Sequence, residues 1–214
     1  MPTPLIKICG IRTAAVLDAA VEARADYLGL MFYAPSPRNV SLPDAAALAA
    51  RTGARAKLVG VFVDADDAAI GAAATAARLD AIQLHGHETP ARAVQLRAEL
   101  GVPVWKVVSV SSAEDIARAE AYAGAADMIL FDAKTPKGTL PGGMGLVFDW
   151  SLLAAWRGKL AWGLAGGLSP DNVAEAARVT GAPLVDVSSG VESAPGVKDA
   201  GKIAAFCKAV RAAL

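Results

Sequence analysis

Two glycine-rich turns near the end of the chain carry the pattern that points most directly to ligand chemistry. Trp162-Gly163-Leu164-Ala165-Gly166-Gly167-Leu168 and Val185-Asp186-Val187-Ser188-Ser189-Gly190-Val191 each incorporate a short apolar run and then turn. Paired glycines admit a close backbone approach, and adjacent serines offer hydroxyl and amide donors in one place. Where such turns end successive parallel strands, their amides converge on an anion, usually a phosphate. In a (β/α)8 barrel that site is frequently built from the loops after strands seven and eight. Gly166, Gly167, Ser188, Ser189 and Gly190 are therefore the candidate phosphate grip.

Titratable groups stand at the ends of other apolar runs. Cys9 closes Lys7-Ile8-Cys9 before a Gly10 turn, where a thiolate can act as base or nucleophile; an inert buried cysteine fits the spacing equally. Asp132 ends Met128-Ile129-Leu130-Phe131-Asp132. It reads either as a partly desolvated proton donor or as a capping carboxylate. Asp64, after Val61-Phe62-Val63, reads as a helix cap. Arg38 follows the stiff Pro35-Ser36-Pro37 loop and suits a bidentate carboxylate ligand, against the ordinary reading of a solvated arginine. His85 and His87 lack the spacing of a metal motif, so no metal is expected; His85 shapes the pocket and His87 is exposed. Cys207 reads as core. Lys134–Gly145, rich in glycine, is long for a connection and reads as a mobile lid or a plain insertion.

These groups need elements to position them. Strand-like runs recur at Leu5–Cys9, Tyr27–Phe32, Lys57–Val63, Ala81–Leu84, Val104–Val108, Met128–Phe131, Leu160–Leu164 and Leu184–Val187. Alanine-rich helical segments alternate with them: Thr13–Ala23, Pro43–Arg51, Ala65–Ala77, Pro90–Leu100, Ala113–Ala121, Leu152–Trp156, Asn172–Val179 and Ala200–Ala213. Ser41/Pro43, Thr89/Pro90, Ser112, Ser169/Pro170 and Asp171 supply helix-opening chemistry. The alternation predicts an α/β chain, a single-domain (β/α)8 TIM barrel over residues 1–214. The rival is an open doubly wound sheet, but the first strand is not followed by a G-x-G-x-x-G turn. Strand parity turns Lys7, Cys9, Gln83, His85, Lys106, Asp132 and Asp186 into the barrel. Lysines and aspartates in that interior must pair or serve chemistry.

Bulk composition narrows the partners. Basic and acidic residues balance at 21 each, so no global field favours nucleic acid or an acidic membrane. Uncharged runs such as Tyr27–Pro37 are too short to span a bilayer. With no basic-then-apolar leader before Lys7 and only Cys9 and Cys207, the expected location is the cytoplasm. The expected partner is a phosphorylated small molecule, bound by a monomer or weak homodimer.

Together these segments resemble the phosphoribosylanthranilate isomerase family of tryptophan biosynthesis. The Lys-Ile-Cys-Gly-Ile start and the Tyr33-Ala34-Pro35-Ser36-Pro37-Arg38 loop carry the likeness most specifically, with Val59–Asp64, Gln83–Gly86, Leu130–Trp150, Leu164–Asn172 and Asp186–Glu192 extending it. The resemblance implies an aldose–ketose isomerase without cofactor or metal. Its reaction is the Amadori rearrangement of N-(5′-phosphoribosyl)anthranilate to 1-(2-carboxyphenylamino)-1-deoxyribulose 5-phosphate. It implies Cys9 as general base, Asp132 as general acid, Arg38 on the anthranilate carboxylate, and Gly166, Gly167, Ser188 and Ser189 on the phosphate. Lys7 is expected to favour the Cys9 thiolate, and Asp132 to sit in less polar surroundings than Cys9. Ala133 and Met144 depart from the family pattern, which touches lid behaviour more than identity.

Three rivals are set against this reading. A Schiff-base aldolase would use Lys7 or Lys106. A related isomerase of histidine biosynthesis would carry an aspartate where this chain has Cys9. A barrel that only binds a phosphorylated metabolite would leave Cys9 and Asp132 idle.

Overall fold

The computed structural model describes residues 3–133 and 148–212. Its first half runs β1 (Leu5–Cys9), α1 (Ala14–Glu22), β2 (Tyr27–Met31), α2 (Leu42–Thr52), β3 (Lys57–Phe62), α3 (Asp67–Ala77), β4 (Ala81–Leu84) and α4 (Pro90–Leu100). There follow β5 (Val104–Val110), α5 (Ala113–Arg118), β6 (Met128–Ala133), β7 (Ala161–Leu164), α6 (Val173–Thr180) and β8 (Leu184–Val187). A hairpin of β9 (Glu192–Ala194) and β10 (Val197–Lys198) precedes α7 (Ala200–Ala212). Strands β1 to β8 close into one parallel barrel, sealed where β8 pairs with β1 and Asp186 stands opposite Lys7. The expected lid, Lys134–Gly145 with Met144, lies outside the described residues.

Local chemistry sets the helix starts. Ser41 and Thr89 accept from the amides of Asp44 and Arg92 at 3.2 and 3.3 Å, with Pro43 and Pro90 in the first turns. Ser112 and Asp115 form a reciprocal capping box on α5. Two expectations about helix starts are corrected. Asp66, not Asp64, caps α3, accepting from Ala69 at 2.8 Å. Asp64 adopts a left-handed φ of 49° and turns back to His87. Ser169 belongs to a turn closed by Asn172, whose side chain accepts the Ser169 amide at 2.8 Å, so α6 begins only at Val173. Trp150–Ala155, between β6 and β7, is a 3-10 helix.

Two apolar layers hold the barrel. Ile6, Ile8, Leu28, Leu30, Phe62 and Ile82 lie between strands and helices. Inside, Val59, Ala81, Trp105, Val107, Leu130 and Leu184 plug the lower half, with Tyr27 meeting Trp105 edge-on at 5.0 Å. Trp105 and Val107 occupying the interior puts Lys106 on the outer face of β5, contrary to the parity expected for it. There its ammonium reaches the Gly86 carbonyl at 2.6 Å and Glu88 at 2.8 Å. Burial of that charge is met by main-chain oxygens and a carboxylate, which spacing along the chain does not reveal.

Candidate active site

Above the apolar plug the interior becomes polar. Lys7, with 0% of its surface exposed, donates to Asp186 at 2.9 Å. Gln83 and Asp186 are buried beside it, and Gln83 Oε1 and Asp186 Oδ1 have no hydrogen-bond partner among the described residues. Such orphaned acceptors in a barrel interior call for a donor supplied by ligand or water. They line a pocket at the C-terminal mouth, together with Cys9, Arg38, His85, Asp132, Gly166, Gly167, Ser188 and Ser189. The sequence-derived candidates thus converge, with two exceptions. Lys7 lies behind the wall as the partner of Asp186, and Gly190 packs behind the turn, where an added Cβ would strike the Leu168 carbonyl.

Cys9 ends β1 with its sulfur over Gly29, where a Cβ would come within 2.9 Å of Sγ and 3.1 Å of Lys7 Nζ. Only glycine on β2 leaves that space. Burial pushes the thiol above its ordinary pKa and Asp186 adds to the rise, while Lys7 and Lys198 oppose it. Lys7 therefore acts in the expected direction, but burial outweighs it. Burial also works against the Lys7 ammonium, yet Asp186 and Cys9 hold it above the usual lysine range. Asp186 is raised by burial first, with the neighbouring Asp132 charge adding and Lys7 resisting.

Asp132 reaches the pocket from β6, its Oδ2 3.3 Å from His85 Nε2. His85 is held by its amide to the Phe62 carbonyl at 2.8 Å. The carboxylate of Asp132 also packs on Gly166, where an added Cβ would come 2.7 Å from Oδ1. Its polar surroundings are His85 and the Asp186 carboxylate, where Cys9 is faced by Lys7, Asp186 and Lys198. His87 points away, 97% exposed, against Asp64. Among the described residues no three His, Cys, Asp or Glu side chains are grouped to hold a metal ion.

The glycine turn after β7 carries consecutive left-handed residues, Gly166 at φ 85° and Gly167 at φ 62°. Their amides make no hydrogen bond to another described residue, as a cradle for an anion requires. Ser188 donates to the Cys9 carbonyl at 3.2 Å, tying the second turn to the end of β1.

Arg38 is buried and already forked. Its Nε and Nη2 each donate to Glu192 at 2.8 Å. Glu192 also accepts from Lys198 at 2.6 Å. Arg38 and Lys198 hold the Glu192 carboxyl below its ordinary range against the opposing effect of burial. Sequence reading did not single out Lys198, because a two-residue strand carries no periodic signal; Glu192 appeared only as the end of a matching stretch. Met31, Tyr33 and Val63 also line the pocket.

Likeness to known proteins runs along nearly all of this framework. Residues 6–209 match the family described as N-(5′phosphoribosyl)anthranilate (PRA) isomerase. N-(5′-phosphoribosyl)anthranilate isomerase of Paramagnetospirillum magneticum is 56% identical over 207 residues, 96% of each chain. Among solved structures, phosphoribosyl anthranilate isomerase from Thermotoga maritima is 37% identical and superposes with a TM-score of 0.86, covering 98% of this chain and 99% of that one. A phosphoribosyl anthranilate isomerase in complex with reduced 1-(o-carboxyphenylamino)-1-deoxyribulose 5-phosphate is 35% identical, with a TM-score of 0.84 over 98% and 99% of the two chains. With a closed barrel, a thiol and a carboxyl at its mouth and a family match from β1 to α7, the chain belongs to the N-(5′-phosphoribosyl)anthranilate isomerase family.

Proposed function

We propose that Cys9 and Asp132 divide the proton transfers by which this aldose–ketose isomerase rearranges N-(5′-phosphoribosyl)anthranilate in tryptophan biosynthesis. The observation that carries this reading is the opening of both groups into one pocket whose further wall is the Gly166–Gly167 and Ser188–Ser189 turns. Phosphate on those turns and the anthranilate carboxylate on Arg38 would hold the sugar between acid and base. With its plane set by the two contacts to Glu192, Arg38 would meet that carboxylate from the pocket wall. Gln83 and Asp186, each with an orphaned oxygen, would accept from sugar hydroxyls.

Asp132 gives its proton to the furanose ring oxygen as the C1′–O bond breaks, and the anthranilate nitrogen takes up the positive charge as an iminium. The Cys9 thiolate removes the C2′ proton, and the C–H electrons form the C1′–C2′ double bond of an enolamine. Protonation at C1′ and loss of the enol proton give the ketone. His85, 3.3 Å from Asp132, is placed to orient that carboxyl.

A core running from Ile6 to Val210 supports one domain over residues 1–214. Large exposed hydrophobics are scattered over Leu5, Leu42, Val94, Val179 and Val197 on separate elements, which supports a monomer or weak homodimer. No described helix is long and apolar enough to cross a membrane, and we place the enzyme in the cytoplasm.

The test is loss of anthranilate fluorescence on mixing with freshly made substrate. Cys9→Ser and Asp132→Asn should each lower kcat by about 10³-fold or more while a product analogue binds within a few-fold. Near-wild-type turnover in either variant overturns the assignment. Arg38→Ala should instead raise KM, and an unchanged KM would remove its role.

A further inference from the structure

We propose that the β9–β10 hairpin aligns the anthranilate end of the substrate with the base, Glu192 fixing the plane of the Arg38 guanidinium and Lys198 locking that carboxylate to the Cys9–Ser188 corner. Both are positioning residues, and the inference rests on the substrate assigned above.

A guanidinium on a three-carbon stem is planar but freely swung. Here two donors from one edge, Nε and Nη2, sit on the two oxygens of Glu192 at 2.8 Å each. That leaves a single plane and a single direction for the end edge. The hairpin is fitted to the arginine's own loop: Gly196, at φ 78°, lies so close to Pro37 that a Cβ would come within 2.6 Å of its carbonyl oxygen. The Gly196 amide also donates to Glu192 Oε2 at 3.2 Å. Lys198 Nζ donates to Glu192 Oε1 at 2.6 Å, to the Ser188 carbonyl at 3.0 Å and to Ser188 Oγ at 3.2 Å. Ser188 Oγ in turn donates to the Cys9 carbonyl. Both cations cross the backbone of Gly10, where a Cβ would meet Arg38 Cδ at 2.8 Å and Lys198 Nζ at 3.3 Å. The carboxylate-binding arm, the base and the serine turn therefore share one rigid corner. Its charge also reaches the thiol, which is faced by Lys7 from β1, Asp186 from β8 and Lys198 from β10.

The experiment compares phosphoribosylanthranilate with phosphoribosylaniline, which lacks the carboxylate. In the wild type kcat/KM should favour the anthranilate by about 100-fold, the scale of a lost charge-assisted pair. In Glu192→Gln that preference should fall to about 10-fold or less. A merely structural role would lower both substrates together and leave the ratio alone. Glu192→Asp, which keeps the charge but shortens its reach, gives the same readout if Glu192→Gln does not fold. In Lys198→Met the rising limb of kcat/KM against pH should move to higher pH, and Lys198→Arg should restore it. An unmoved ratio in folded Glu192 variants, or an unmoved limb in Lys198→Met, overturns the inference. Failure of the wild type to turn over phosphoribosylanthranilate would instead overturn the functional reading.

Discussion

Replacing Lys7 with methionine should unsettle the fold and the chemistry for separable reasons. The ammonium is fully buried, 2.9 Å from Asp186 Oδ2, while Asp186 Oδ1 already lacks a partner among the described residues. Methionine fills similar space but leaves a carboxylate inside the barrel with no cation. Removing one half of a buried pair costs about 3–5 kcal/mol. For a chain of this size that lowers Tm by about 6–20 °C. The loss should depend on pH with a definite sign. Burial already raises the Asp186 pKa, and without Lys7 it rises further. The native state then binds that proton more tightly than the unfolded chain, so stability falls as pH climbs from the unfolded pKa through the raised one. Lys7→Met should accordingly melt closer to wild type at pH 5 than at pH 8. Lys7→Met/Asp186→Leu, which removes both charges, should recover most of the lost stability, since apolar pairs replace buried ion pairs well. It should not recover turnover, because Cys9 has lost one of the two cations that oppose its burial and the pocket has lost the Asp186 carboxylate. Calorimetry at two pH values and the fluorescence assay read the two effects. A single variant melting within about 2 °C of wild type at pH 8, or a double variant melting no higher, would refute the reasoning.

Gly190→Ala drives a Cβ into the Leu168 carbonyl and so pushes apart the two turns of the phosphate grip. We expect KM and the inhibition constant of inorganic phosphate to rise together by about 10-fold or more, and unchanged values would detach these turns from the phosphate. Because burial raises the Cys9 thiol, kcat/KM should climb from pH 7 to pH 9, whereas a flat profile would argue against a thiolate base. Borohydride added with substrate should leave no mass adduct, since Lys106 is sequestered on the outer face with Gly86 and Glu88; an adduct on any lysine would revive Schiff-base chemistry.

The sequence made the barrel legible where short β-branched runs were bounded by turns. Strands β1, β4 and β8 match residue for residue, and parity correctly sends Lys7, Cys9, Gln83, Asp132 and Asp186 inward. Parity misleads at Lys106, because Trp105, not its neighbour, faces in and fills the lower barrel. Lys106 is charged yet belongs among core residues, since two carbonyls and Glu88 accept its protons. Asp64 misleads for a similar reason. A carboxylate before a helix suggests a cap, but the chain needs two more residues to turn before Asp66 can reach an amide. Arg38 was legible as a carboxylate ligand, but its tie to Glu192 and Lys198 was not. It depends on contacts spanning 154 residues and on a hairpin too short to show a period.

The seam between the first and last strands has a consequence for synthesis. Ser188 holds the Cys9 carbonyl across 179 positions, and Asp186 neutralises Lys7 across the same gap. A nascent polypeptide therefore leaves the Lys7 ammonium and the Cys9 end of β1 without these partners until β8 has been made. Catalytic competence therefore waits on the arrival of β8 and the Ser188 turn at the first strand.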